Sequence, residues 1–167
     1  FGRQFPLSLA SQGSCMIGGN LATNAGGVNV LKYGNTRDLC LGIEAVLADG
    51  RLFNDLKELK KDNFGYDIKN MLIGSEGTLG IITAASLKTF PMTNNTVALV
   101  SISTPSEAVE LFDILSSKLE FSLQAFELIS SVGIKFLSLT GLRKSFPINL
   151  DKGWMALIEV GSPQIVV

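Results

Sequence analysis

The order of apolar and polar residues predicts a β-rich first half of the chain. Residues 39–48 mix alternation with β-branched residues, which is typical of a strand. The Asp-Gly pair at 49–50 is a strong turn signal and leads into the short run 51–53. The pattern therefore predicts a β-hairpin.

A polar stretch over residues 55–66 follows, and its lysines are typical of a solvated face. We then expect a short helix at about residues 67–72 and a strand over residues 79–90, rich in Ile and Thr. Pro91 should end this strand because proline has no N–H for the ladder.

The second half begins with a predicted polar linker at 93–96 and a strand over 97–103. A helix with clear start signals should follow, because Thr104 fits the N-cap, Pro105 the first turn, and Glu107 completes a Thr-x-x-Glu capping box. Apolar residues at helical spacing predict one core-facing side of this helix: Val109, Phe112, Leu115 and Leu119.

Three more elements complete the predicted order: a strand at 123–128, a helix at 130–139 and a strand at 154–160. The alternation of strands and helices predicts an α+β fold, with an incomplete sandwich of ferredoxin-like type after Pro91.

Composition narrows the function classes. The chain has 167 residues, 46% of them hydrophobic and 17% charged, so we expect one globular domain or slightly more. A net charge of −1 argues against a nucleic acid or an anionic membrane as partner. No apolar run approaches the ~20 residues of a membrane span.

Cys15 and Cys40 are too far apart for a CxxC pattern, and the chain has no histidine to complete a metal set. We expect both cysteines to be buried thiols of a reducing compartment. The chain starts at Phe1 without a methionine and ends on an apolar run at 165–167, from which we expect an internal fragment.

Two glycine-rich runs, 17–27 and 73–83, are the candidate binding elements, because glycine lets backbone N–H groups approach a flat, phosphate-bearing cofactor. Glycine doublets could also serve only as turns. In the first run, Asn20, Thr23 and Asn24 favour binding, since short amides and hydroxyls can hydrogen-bond a flavin edge or phosphate without charge.

The second run lacks the Gly-Lys-Ser/Thr ending of a Walker loop and the spacing of Gly-x-Gly-x-x-Gly. Glu76 cannot favour a phosphate by charge. We expect its carboxylate to face ribose or ring donors, or to accept hydrogen bonds from backbone N–H groups.

Five motifs follow one another along the chain: SCMIGGNLATNAGG at 14–27, YGNTRD at 33–38, VLADG at 46–50, KDN with GYD at 61–67, and GSEGTLGI at 74–81. In this order they resemble FAD-linked oxidases of the vanillyl-alcohol-oxidase superfamily, with its PCMH-type FAD-binding domain. The resemblance is to the branch that oxidises D-2-hydroxy acids, namely D-2-hydroxyglutarate, D-lactate or glycolate.

The resemblance implies that residues 1–90 are the later part of the FAD-binding domain and that residues 91–167 begin the substrate or cap domain. It implies oxidation of a D-2-hydroxy acid to the 2-oxo acid, with hydride passing to flavin N5. An upstream glycine-rich loop and a downstream histidine-containing segment of the family have no counterpart here. The resemblance therefore transfers no catalytic residue, and ligands for a divalent metal would lie outside this chain.

The resemblance does transfer a non-covalent FAD cradle. It comprises Ser14, Cys15, Gly18, Gly19, Thr23, Asn24, Ala25, Gly26, Glu76, Gly77, Gly80 and Ile81. Arg37 and Asp38 form either an ion pair that braces this cradle or an exposed loop pair. Lys32 and Phe64 depart from the residues that relatives often carry, which are Arg and a small polar residue.

The implied partners are the hydroxy acid and an electron acceptor of unknown identity, and the resemblance allows a homodimer. The implied location is cytoplasmic, or the mitochondrial matrix in a eukaryote. Two alternatives stay open: a flavin-binding or structural module with no catalytic activity of its own, and a nucleotide-binding domain of another fold.

Overall fold

The computed structural model describes residues 1–141, 147–148 and 153–163, and it divides into two compact units, Phe1–Met92 and Thr93–Val167. The assignment of these parts to an FAD-binding and a cap domain stays a prediction. The first unit alternates short helices and strands: β1 (Arg3–Gln4), α1 (Ile17–Ala22), α2 (Val30–Tyr33), β2 (Cys40–Leu47), β3 (Leu52–Asp55), α3 (Ile68–Leu72), β4 (Gly80–Leu87) and β5 (Phe90–Pro91).

An antiparallel sheet with the strand order β3-β2-β4 forms the centre of the first unit. The predicted hairpin is confirmed, since Val46 pairs with Leu52 across the β2-β3 turn. The predicted short helix is confirmed as α3, where the Asp67 carboxylate accepts a hydrogen bond from the Asn70 N–H at 3.1 Å and caps the helix. A core of buried side chains packs on this sheet: Leu21, Cys40, Ile43, Ala45, Leu72 and Ile73.

The strand predicted over residues 79–90 is divided in the structure. Strand β4 ends at Leu87, and Pro91 lies within β5, where it pairs with Arg3 of β1. Pro91 is the last residue of β5, so the pairing ends at this proline as predicted, but the strand that it ends belongs to a two-stranded sheet with β1 and does not continue β4.

The second unit contains β6 (Thr93–Ile102), α4 (Pro105–Leu119), β7 (Leu123–Ser130), α5 (Ser131–Leu139) and β8 (Trp154–Pro163), with a 3-10 turn at Glu120–Ser122. The sheet order is β6-β8-β7 with antiparallel neighbours. The predicted alternation of strand and helix is confirmed, and the fold class is α+β.

The capping box of α4 is present. The Thr104 hydroxyl accepts from the Glu107 N–H at 3.2 Å, and the Glu107 carboxylate reaches back to the Ser103 N–H at 2.9 Å. Val109 was wrongly predicted to be core, since it is 60% exposed. Ala108 is the buried residue of this helix. The other three predicted residues pack on the same core: Phe112, Leu115 and Leu119.

The predicted polar linker at 93–96 is the first part of β6 and pairs with the end of β8. Two of its polar side chains, those of Thr93 and Asn95, bond to side chains of the other strands of this sheet. The Gln124 amide, in a side chain only 1% exposed, donates to Asn95 Oδ1 at 2.8 Å, and the Asn95 amide donates to Glu159 at 2.7 Å. These partners are distant in sequence, which is why the polar run looked like a linker.

Candidate functional site

The two glycine-rich runs lie side by side in the first unit. The N–H of Gly74 donates to the carbonyl of Leu21 at 3.0 Å, and the N–H of Glu76 donates to the carbonyl of Ala22 at 2.8 Å. Both carbonyls belong to the last turn of α1, and the Leu21 carbonyl also accepts from the Asn24 N–H at 3.0 Å. The second run therefore caps the end of the first.

Two residues of these runs hold a left-handed backbone without being glycine. Asn24 has φ 48° and Glu76 has φ 52°. Such a conformation costs roughly 1–2 kcal/mol in a residue that carries a Cβ. It persists at Asn24 because its side-chain oxygen accepts from the Arg37 N–H at 3.0 Å.

Ser14 and Cys15 lie in a tight turn before α1. Their N–H groups both donate to the Ser11 carbonyl, at 2.9 and 2.8 Å. Cys15 was predicted to be buried but is only partly so, and its sulfur accepts from the Asn20 amide at 3.4 Å. Cys40 is buried as predicted, at 2% exposure, and both thiols are free.

Gly18 and Gly19 occupy the first turns of α1. A Cβ on Gly18 would lie 3.4 Å from the carbonyl oxygen of Ile82, but a Cβ on Gly19 would meet nothing within 4 Å. Glycine in a helix costs about 1 kcal/mol relative to alanine. No group of the described chain accounts for that cost at Gly19, which faces open space.

Thr23, Ala25 and Gly26 form the end of the first run. The Thr23 hydroxyl donates to the Gly19 carbonyl at 2.9 Å. The Ala25 carbonyl accepts from the backbone N–H of Thr36 at 2.9 Å and from its hydroxyl at 2.6 Å. Thr36 is fully buried, and the sequence offered no periodic signal for it because its partner lies 11 residues away.

The second run exposes most of residues 74–79, although Ile73 at its start is buried. Glu76 is exposed, and its carboxylate has no hydrogen bond to the described residues, so the expected bonding to backbone N–H groups is not observed. Gly77 is exposed with φ 78°, and Ile81 is 64% exposed. Gly80 has an internal explanation, because a Cβ there would lie 2.8 Å from the Val46 carbonyl oxygen.

Arg37 and Asp38 do not pair with each other. One Arg37 guanidinium nitrogen, Nη2, donates to the Ile73 carbonyl at 2.6 Å, while the Asp38 carboxylate accepts from the Asn35 N–H at 2.9 Å. Both alternatives predicted for this pair are therefore wrong for Arg37, which is partly buried and bonded to the second run.

Burial changes the pKa of two side chains in the first unit. Burial lowers the pKa of Lys32, whose ammonium lies 5.2 Å from the ring centre of Tyr33. Burial also raises the pKa of the Cys40 thiol, against a smaller opposing effect of Lys69. Within the described ranges, no three His, Cys, Asp or Glu side chains gather as a metal set.

The polar stretch before α3 carries its own ion pairs. Lys57 lies 3.0 Å from Asp55 and 2.6 Å from Asp62. Hydrogen bonding to these carboxylates raises the pKa of Lys57, and the same bond lowers the pKa of Asp62. No helix in the part of the chain that the structure describes is long and apolar enough to cross a membrane.

Several known proteins are similar to this chain in sequence. Residues 1–55 match the FAD binding domain family. The chain is 43% identical over 159 residues to mitochondrial D-2-hydroxyglutarate dehydrogenase of Bos taurus, covering 94% of this chain and 29% of that protein. Its identity to the Danio rerio protein of the same name is 48% over 159 residues, covering 94% of this chain and 30% of that protein.

The chain thus spans less than a third of the length of these curated relatives. Among solved structures, alkyldihydroxyacetonephosphate synthase matches with a TM-score of 0.68 at 22% identity, over 97% of this chain and 33% of that chain. This likeness shows a shared fold. Its first 55 residues thus match an FAD binding domain, and over most of its length the chain is similar to D-2-hydroxyglutarate dehydrogenases.

Proposed function

We propose that this chain forms part of an FAD-dependent dehydrogenase that oxidises a D-2-hydroxy acid of the 2-hydroxyglutarate type to the 2-oxo acid. One observation carries the proposal. The two glycine-rich runs are hydrogen-bonded to each other by the N–H groups of Gly74 and Glu76, and residues 1–55, which include the first run, match an FAD-binding family.

The residues present fit a bound FAD. The open space at Gly19 and the exposed backbone at Gly77 would let a flat cofactor contact the main chain, and no packing among the described residues requires a glycine at position 19. We infer that the cradle comprises Ser14, Cys15, Gly18, Gly19, Thr23, Asn24, Ala25, Gly26, Glu76, Gly77, Gly80 and Ile81. FAD, when bound, supplies the acceptor for the two electrons of the oxidation.

The contribution of this chain is to bind and orient. The buried bonds from Thr36 to the Ala25 carbonyl hold the end of the first run, and the carbonyls of Leu21 and Ala22 hold the second. Because these bonds already order the backbone, binding a cofactor does not lose free energy to the ordering of a loop. Apolar Ile81, largely exposed, offers a surface on which a flavin ring could pack.

The oxidation also removes the hydroxyl proton of the substrate, which calls for a base. The chain has no histidine, so we propose that the base and any divalent metal lie on other segments of the protein. The names of the bovine and Danio rerio relatives support D-2-hydroxyglutarate as the substrate and a mitochondrial location in a eukaryote. An electron acceptor must complete each turnover.

A visible absorption spectrum tests the proposal. The full-length protein carrying this chain is passed through gel filtration and then mixed anaerobically with D-2-hydroxyglutarate, D-lactate and glycolate in turn. We expect flavin bands that bleach with D-2-hydroxyglutarate. If another of these acids bleaches the bands, that acid is the substrate. If no acid bleaches them, the protein is a flavin-binding module without catalytic activity. A colourless protein that does not bind added FAD would refute the proposal.

A further inference from the structure

Arg37 lies between the two glycine-rich runs and is bonded to both. Its backbone N–H donates to the side-chain oxygen of Asn24 in the first run, at 3.0 Å. Its Nη2 donates to the carbonyl of Ile73, the residue before Gly74, at 2.6 Å. One residue thus connects the left-handed turn of the first run with the start of the second.

The space around the guanidinium is shaped for it. A Cβ on Gly74 would lie 2.9 Å from Arg37 Nη2 and 3.3 Å from the Cβ of Asn24. Gly74 also has φ 84°, which a residue with a Cβ rarely adopts. The guanidinium therefore fills the position that a side chain at residue 74 would need.

An ion pair does not explain this placement. In the described part of the chain, the ion pairs join Arg51 to Asp49 and Lys57 to Asp55 and Asp62, and none involves Arg37. The Nε of Arg37 is buried without a hydrogen-bond partner among the described residues. A buried donor without a partner is unfavourable, so the position of this side chain depends on the bond to Ile73 and on packing.

We propose that Arg37 is a positioning residue of the FAD site. It holds Ile73 and Gly74 against Asn24, and thereby keeps the backbone of the second run at the distance from the first that the cofactor requires. This inference rests on the proposed FAD binding. Without the guanidinium, the hydrogen bonds that join the second run to the first among the described residues are the two backbone bonds to Leu21 and Ala22, and the exposed residues of the second run move more freely.

The test compares Arg37→Met, Arg37→Lys and Arg51→Met in the full-length protein. Arg51 is the matched control, because its side chain is 78% exposed on a hairpin turn and its loss changes the net charge equally. Two quantities are measured: the dissociation constant of FAD, by flavin fluorescence, and hydrogen exchange of the Gly74 and Glu76 amides in the FAD-free protein. Asn24→Gly is a second variant that removes the acceptor while allowing the positive φ.

We expect Arg37→Met to weaken FAD binding by roughly 10- to 100-fold, the range for a lost hydrogen bond from a charged donor. The Gly74 and Glu76 amides should exchange faster, Arg37→Lys should restore binding only in part, and Arg51→Met should match the wild type. Asn24→Gly should shift both quantities in the same direction.

Three results would overturn the inference: unchanged exchange at both amides in Arg37→Met, unchanged FAD affinity in that variant, or full restoration by lysine, which would show that charge alone matters. Failure of the wild type to bind FAD would refute the proposed function instead. In that case the exchange measurement would still decide whether Arg37 holds the two runs together.

Discussion

Gly19→Ala should separate the stability of the fold from the binding of FAD. Gly19 is the third residue of α1, and its Cβ position is empty of protein within 4 Å. Alanine is favoured over glycine in a helix by about 1 kcal/mol. Part of that gain comes from the smaller conformational freedom of the unfolded chain. Without FAD, the free energy of unfolding should therefore rise by about 0.5–1 kcal/mol.

The same methyl group should obstruct the cofactor. If FAD packs against the backbone at Gly19, an added methyl costs about 1–3 kcal/mol of overpacking. That energy corresponds to a dissociation constant roughly 5- to 150-fold higher. A variant that is more stable yet binds more weakly identifies a residue whose glycine serves the ligand and not the fold.

The assay pairs urea unfolding of the FAD-free protein with a fluorescence titration of FAD. Gly133→Ala is the matched control, because Gly133 is the third residue of α5 in the second unit and its Cβ would meet, among the residues that the structure describes, only Ser130 Oγ, at 3.5 Å. This variant should gain similar stability and keep its FAD affinity. Wild-type FAD affinity in Gly19→Ala would refute the placement of FAD at this glycine. An equal loss of FAD affinity in Gly19→Ala and Gly133→Ala would show that the loss does not depend on contact between residue 19 and FAD.

Further substitutions test the packing of each unit. Gly161→Ala should lower the free energy of unfolding of the second unit by about 1–3 kcal/mol in urea, because the added Cβ would overlap the buried Gln124 amide. The double variant with Gln124→Ala should recover part of this loss. Thr104→Ala should cost about 1 kcal/mol through the lost N-cap, as measured in the same way. Because burial raises the pKa of the Cys40 thiol, the unfolded chain loses this proton first. The free energy of unfolding should therefore fall as the pH rises above 9.0, and Cys40→Ala should reduce that slope.

Local signals predicted the elements that depend on neighbours in sequence. The Asp-Gly turn at 49–50 and the capping box at Thr104 each determine a structure within a few residues, and both are confirmed. The start of β6 was missed because its polar residues find partners about 30 and 64 residues away, in Gln124 and Glu159.

The same limit applies to the candidate site. Arg37 was grouped with Asp38, its neighbour in sequence, but its side chain bonds to Ile73, 36 residues away. Thr36 showed no pattern at all, yet it is fully buried against the Ala25 carbonyl. Such contacts depend on how the loops fold back, and neither periodicity nor spacing records them.

The sequence alone does not show whether a glycine is required by the fold or by a ligand. Gly27, Gly42 and Gly80 are each required by the fold, because a Cβ on any of them would collide with a backbone carbonyl. Gly19 meets no such neighbour, and Gly77 meets only Ile81 Cδ1, at 3.9 Å. The sequence does not tell which of these five glycines the fold requires. Glycine is expected both in tight turns and at a cofactor site. Gly19 is the glycine that a ligand best explains, because no described residue stands where its side chain would be.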